Sequence, residues 1–140
     1  MYWLLKSEPE TYSWTTLSGD IETRWDGIRN YQARNYMKQM KIGDSCFFYH
    51  SGKDPGIVGL AEVASEAYPD PNDDTGKFLA INIKYKSEIK RKISLKEIAK
   101  TENLCNMKIL KQSRLSISPV TEDEWLQLLK MTLLAAHKLT

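Results

Sequence analysis

At 140 residues, 41% of them hydrophobic and 27% charged, the chain has the size and composition of one globular domain, spanning 1–140, that needs no disulfide or metal to fold. No apolar run approaches a membrane span, the N-terminus lacks a signal-peptide layout, and Cys46 and Cys105 form neither a disulfide framework nor, even with His50 and His137, a zinc site with ligand-like spacing. A monomer is expected in the cytoplasm, or the nucleus of a eukaryotic host, with no membrane partner, obligate metal or cofactor. The net charge of +2 is uneven: −5 over residues 1–76, +8 over 77–114 and −1 over 115–140. The basic middle fits either a polyanionic partner or a solvated lysine-rich face.

In chain order, Tyr2–Leu5 is a short apolar run stopped by Pro9, suited to a buried strand. Ser13 caps one helical turn ending at Leu17. A longer helix is predicted from Asn30, a favourable N-cap, to Gly43, with Ala33, Met37 and Met40 on one face. Ser45–Tyr49 and Ile57–Ala64 read as strands joined by a Gly/Pro loop. Cys46, inside the first of them, reads as a buried reduced thiol. Tyr68–Gly76, rich in turn formers and acids, looks disordered and reads as a hairpin or crossover loop. Phe78–Tyr85 alternates as a half-buried strand. Ser94–Glu97 and Thr121–Glu124 match the capping box and start two helices, the second with Trp125, Leu128 and Leu129 on its apolar face. Arg114–Ser118 alternates as a strand ending at Pro119. Short, mainly antiparallel strands with helices at the ends imply an α+β fold built on a small barrel.

Four stretches carry a resemblance to a known family: Tyr2–Pro9, Trp25–Asn35, Phe48–Ser51 and Arg114–Val120, with Ile57–Val63 and Ala67–Pro71 supporting them. In that order they resemble the EVE domain family from residue 2 to about residue 131. The resemblance implies a PUA-like fold, a small mixed, mainly antiparallel β-barrel with short helices at its ends, related to pseudouridine-synthase-associated and YTH domains. It also implies a non-catalytic pocket for a modified base in DNA or RNA, with modified cytosines the usual candidates. Two departures stand out: Ile28 where valine is expected, and Ser118 where glutamine is expected, which would remove one polar contact at that end of the pocket.

A base presents a flat π-face and an edge of donors and acceptors, so its pocket needs aromatic walls and fixed polar groups. Trp25 and Tyr31 are candidate walls, and Asn30 offers a donor and an acceptor from one amide. Ser7 and Glu8 can accept from an exocyclic amino group, as carboxylates do for cytosine N4. His50 and Ser116 are candidate pocket residues, and Arg29, Arg34 and Arg114 candidate phosphate contacts. Blander readings stand beside these: Asn30 as a helix cap, Trp25 as core, Ser7 in a local turn. Trp25→Ala is expected to lose base binding while the fold survives.

Two rival functions share this region. Lys6 and Glu8, with a threonine such as Thr11, could mimic the lysine, threonine and glutamate of amide-hydrolysing ASCH relatives. No nucleophile elbow, metal cluster or phosphate loop supports catalysis. The other rival is an interaction module with a vestigial pocket.

Overall fold

The computed structural model describes the backbone of residues 1–112 and 114–138, with side chains through Thr132. The chain forms β1 (Tyr2–Ser7), α1 (Trp14–Asp20), β2 (Glu22–Trp25), α2 (Tyr31–Met37), β3 (Ser45–His50), β4 (Gly56–Val63), β5 (Tyr68–Pro69) and β6 (Leu79–Ser94). There follow α3 (Leu95–Lys100), a 3-10 turn, α4 (Lys108–Lys111), β7 (Ile117–Val120) and α5 (Glu122–Lys138). The side chain of His137 lies outside the described residues. Among those residues no helix is long and apolar enough to cross a membrane.

The sheet runs β2-β6-β4-β3-β1-β7, with β5 added against β6. It is antiparallel except for β1 beside β3, where Tyr2 to Ser7 pair with Ser45 to His50 in step. Both faces of β1 and β3 are covered, which is why they read as continuous apolar runs. Trp3, Leu5, Cys46 and Phe48 join one core with Trp14, Trp25 and Ile81. Leu4, Phe47 and Tyr49 point the other way into a second core closed by Trp125 and Leu128 of α5. Burial raises the Cys46 thiol far above its ordinary pKa, which keeps it unreactive.

The α+β expectation holds, but the expected closed barrel does not. β2 and β7 are the two ends of the hydrogen-bonded order, so the sheet is open. Pro119 lacks an N–H and sits within β7 opposite Trp3, a position available because β7 is an edge. The strand therefore passes through Pro119 instead of ending there, and Arg114 and Ser116 precede it in a turn and a bend.

Other boundaries moved for local reasons. Asn30 caps α2 as expected, its Oδ1 accepting from Ala33 N at 2.9 Å. The helix stops at Met37, however, because Gln39 N and Met40 N turn back to Tyr36 O and Met37 O. Gly43 (φ 93°) belongs to the turn that enters β3. β6 continues nine residues past Tyr85 through a polar stretch that pairs with β4 by way of register shifts. The acidic segment after β5 is ordered. Asp73 accepts from the backbone N–H groups of Thr75, Lys77 and Phe78. The Thr75 hydroxyl and these N–H donors outweigh desolvation and hold its pKa at about 2. Thr121 and Glu124 make both reciprocal bonds of a capping box at the start of α5.

Four of the eleven Lys and Arg residues of the basic block make ion pairs among the described residues. Lys84 and Lys86 face Glu62 at 3.1 and 4.0 Å, Arg91 pairs with Glu97 and Lys92 with Asp54.

Candidate functional site

Between the two open edges lies a cleft of about 840 Å³. One wall is the end of β1 and the turn after it, the other is β2 with residues 26–30, and Arg114 and Ser116 stand at the β7 side. Ser7, Glu8, Trp25, Asn30, Arg29, Arg114 and Ser116, drawn from three separated stretches of sequence, all line it.

Local chemistry fixes each wall. Glu8 O accepts from Thr11 N at 3.0 Å and Tyr12 N at 2.9 Å, making the single turn that follows β1. Ser7 Oγ donates to Tyr12 O at 2.6 Å, so its hydroxyl proton is committed while its lone pairs remain available. The Ser116 carbonyl accepts from Lys6 N at 2.9 Å and holds the β7 side against β1.

Trp25 is 7% exposed. Its ring meets Tyr12 at 6.2 Å and 89°, and Phe48 at 5.6 Å and 83°, both edge-to-face. It is thus core and cleft wall together, and Trp25→Ala is not the fold-neutral change expected from sequence. Truncating a buried tryptophan costs about 3–5 kcal/mol. Its indole N–H has no hydrogen-bond partner among the described residues, and no buried polar side-chain atom there is left unpaired, so this donor is reached by solvent. Asn30 likewise spends its carbonyl on the helix cap and keeps its amide hydrogens.

The residue that shapes the 26–30 wall escaped the sequence reading. Asp70 has a fully buried carboxylate. It accepts from Gly27 N at 2.9 Å, Arg29 Nη1 at 2.9 Å and Asn72 N at 2.8 Å. Burial alone would raise its pKa, but the N–H of Asn72, Arg29 and the N–H of Gly27 together outweigh it and hold the carboxyl below its ordinary value. Gly27 turns at φ 73°, where a side chain would be strained though nothing would obstruct a Cβ. The forward signals were its place in the supporting stretch Ala67–Pro71 and its position between Pro69 and Pro71. Tyr12 was also missed, for want of any motif around it.

Three expected site residues stand elsewhere. Tyr31 is outside the cleft, 51% exposed on α2 and packed against Phe78 in a tilted pair at 5.0 Å. Arg34 lies over Tyr31 and bonds Asn35 Oδ1 and Lys77 O. The helix that Asn30 starts carries both residues away from the cleft. His50 lines a neighbouring cavity of about 500 Å³, which shares Glu8 with the cleft. Arg29 lines the cleft, but its guanidinium is held by Asp70, so it acts as a strut more than as a free phosphate contact. Arg114 is exposed and has no ion pair among the described residues. Ser118 is buried opposite Leu4 on β7, not in the cleft. Lys6, Glu8 and Thr11 do share the cleft. Burial lowers the pKa of Lys6 against the attraction of Glu8, which raises it. Among the described residues no three His, Cys, Asp or Glu side chains group as metal ligands.

His50 Nε2 accepts the backbone N–H of Trp14 at 3.0 Å, which places the proton of the neutral ring on Nδ1. Burial, then the charge of Lys92, lowers its pKa below 6.5. Folding therefore favours the neutral ring: this contribution is full above pH 6.5 and is lost as the pH falls from there toward the lower folded value. The urea midpoint of the wild type is expected to drop from about pH 7 to pH 5 by more than that of His50→Gln, whose carbonyl can accept the same N–H without titrating. Equal drops would show that His50 does not couple to folding.

The fold and cleft define a class: a small open-sheet α+β module with one slot lined by rings, an amide, a carboxylate and unspent N–H donors. The EVE domain profile matches residues 1–131, and the chain belongs to the EVE domain family. Thymocyte nuclear protein 1 of Gallus gallus is 38% identical over 159 residues, covering 89% of this chain. The match spans 65% of that relative's length, so the chain corresponds to just under two thirds of it. The crystal structure of human THYN1 in complex with 5-methylcytosine-containing DNA superposes with a TM-score of 0.86 at 35% identity, covering 94% of this chain and 96% of that one. A mutant ASCH protein from Zymomonas mobilis matches at a TM-score of 0.59 and 12% identity over 92% of this chain and 96% of its own, a likeness of fold alone.

Proposed function

We propose that the protein is a non-catalytic reader that draws one modified base, a modified cytosine, out of a nucleic-acid strand and into the cleft. One observation carries this reading. Trp25 with a free indole N–H, Asn30 with a free amide, the Glu8 carboxylate and the unpaired Arg114 converge on a single open cavity. A cytosine edge offers an amino donor at N4 and acceptors at N3 and O2. Glu8 accepts from N4, the Asn30 amide and the Trp25 indole N–H supply the donors, and Arg114 meets the backbone. The EVE relative co-crystallised with 5-methylcytosine DNA supports the assignment. The same reading treats the open sheet as a PUA-like barrel parted at the cleft, and the protein as a monomer that works where the nucleic acid is, in the nucleus of a eukaryotic host.

Extracting a base from a duplex costs a few kcal/mol, and one aromatic stack returns roughly 1–3 kcal/mol, so edge bonds decide whether binding wins. Trp25→Phe keeps the ring and deletes the N–H. Titrating a panel of modified deoxynucleosides and ribonucleosides against intrinsic tryptophan fluorescence tests this. The expected result is binding of a modified cytosine over its unmodified parent, weakened roughly tenfold in Trp25→Phe, the scale of one hydrogen bond of about 1.4 kcal/mol. Equal affinity for modified and unmodified bases would end the reader assignment.

The shared cleft of Lys6, Glu8 and Thr11 favours one second reading, an amide hydrolase acting on an acylated nucleoside. Its mark would be turnover that disappears in Lys6→Ala. A vestigial module would neither bind nor turn over, a reading the open, unfilled cleft disfavours.

A further inference from the structure

We infer that Tyr31, Phe78 and Arg34 form a second site beside the cleft, a ledge on which the unpaired base next to the gripped one stacks. This rests on the reader assignment and extends it to the neighbouring nucleotide.

Four planar groups follow one another out of the cleft. The Arg29 guanidinium, which lines the cleft, lies 5.1 Å from the Phe78 ring centre. Phe78 packs against Tyr31 in a tilted pair at 5.0 Å and 33°. The Arg34 guanidinium lies 4.9 Å from the Tyr31 ring centre. The series begins at the cleft wall and ends on the surface, with Tyr31 directly after Asn30 of the cleft.

The column is not explained by packing. A ring serving only the core would be buried, yet Tyr31 keeps half its surface in water. The charges suit a strand of phosphates. Arg29 is neutralised by Asp70, whereas Arg34 meets only neutral acceptors, Asn35 Oδ1 and Lys77 O, and has no carboxylate partner among the described residues. Those acceptors take one N–H on each of its three nitrogens, which holds the guanidinium against the ring and leaves the remaining N–H donors for a phosphate. The face of the Arg34 guanidinium turned away from Tyr31, backed by that ring, is a sequence-tolerant platform for a base, because every base has a π-face, and its uncompensated charge suits the adjoining phosphate. Removing one base from a stack exposes its neighbour, and the ledge lies where that neighbour emerges.

The test compares three ligands carrying the same modified cytosine: the free nucleoside, a five-nucleotide single strand with normal flanking bases, and the same strand with abasic flanks. Wild type is expected to bind the base-flanked strand roughly tenfold more tightly than the abasic-flanked one, the scale of one base–aromatic stack. Tyr31→Ala and, separately, Arg34→Ala are expected to erase that difference and leave nucleoside affinity and thermal midpoint near wild type, whereas Tyr31→Phe keeps it. Equal binding of the two strands by wild type overturns the ledge while nucleoside binding leaves the reader assignment standing. So does a folded Tyr31→Ala that still discriminates between them. Absence of nucleoside binding in wild type removes both.

Discussion

Gly59→Ala is expected to lower the thermal midpoint by about 10 °C or more, corresponding to a loss of at least about 3 kcal/mol for a domain of this size. A methyl group at Gly59 would lie 2.2 Å from Cε2 and Cζ2 of the Trp14 ring, far inside van der Waals contact. Trp14 cannot step aside cheaply. It stacks on Tyr85 at 5.0 Å, leans on Phe48 at 5.4 Å, and donates from its indole to Glu88 at 2.9 Å and from its backbone to His50 at 3.0 Å. Gly59 is not at a positive φ, so its requirement is space and not backbone freedom. The double variant Gly59→Ala, Trp14→Leu should therefore lose less than the two single losses added, since each relieves the other's misfit. A Gly59→Ala midpoint within a few degrees of wild type would contradict the packing described.

Asp70→Ala is expected to cost about 3 kcal/mol and to weaken base binding more than stability alone accounts for. Three donors lose a charged acceptor, each such bond being worth about 1.5–3 kcal/mol with strong non-additivity, and the Gly27 N–H is left without its partner. The wall bearing Asn30 and Arg29 then rests on weaker ties to the β5–β6 loop, Arg29 Nη2 to Asn72 O at 3.4 Å and Asn72 Nδ2 to Asp26 Oδ2 at 3.1 Å. Asp70→Asn retains an acceptor and should lose less. Because the folded carboxyl titrates below its ordinary value of 3.8, its contribution is present above that pH and disappears as the pH falls through the lower folded value. Urea unfolding at pH 7 and pH 3 should thus show the wild-type advantage over Asp70→Ala shrinking at the lower pH. A constant gap would remove the charge from the explanation.

The strands and caps that declared themselves in sequence did so through strong local signals. β1 and β3 are apolar because both their faces are covered, and Asn30 and Thr121 cap because their side chains suit orphan N–H groups. β6 beyond Tyr85 was illegible since it is mostly charged, its side chains meeting partners on Glu62, Trp14, Glu97 and Asp54 that lie elsewhere in the chain. The early end of α2 depends on tertiary demands around Gly43 and Val63, which no local propensity encodes. Much of the site was legible through the family resemblance: Ser7, Glu8, Trp25, Asn30 and Ser116 do share a cleft. Tyr31 was misplaced as a cleft wall because adjacency in a motif was read as adjacency in space. A one-residue advance into a helix rotates a side chain by about 100°. Asp70 could not be found from sequence, because its role exists only once a loop forty residues downstream folds back under Gly27.

The sixteen residues of β6 bond to β2, β4 and β5 alike, and this sets an order for biosynthesis. A ribosome that has released only residues 1–78 has made β2 and β4 without the strand that separates them, leaving both with bare backbone and Ile57, Ala61 and Val63 uncovered. Such a half-made chain offers a template to any stray strand. Nonsense truncations before Leu79 should therefore precipitate instead of yielding a soluble fragment. Circular permutants that open the molecule in the 71–76 loop would deliver β6 first, and β4 and β5 last.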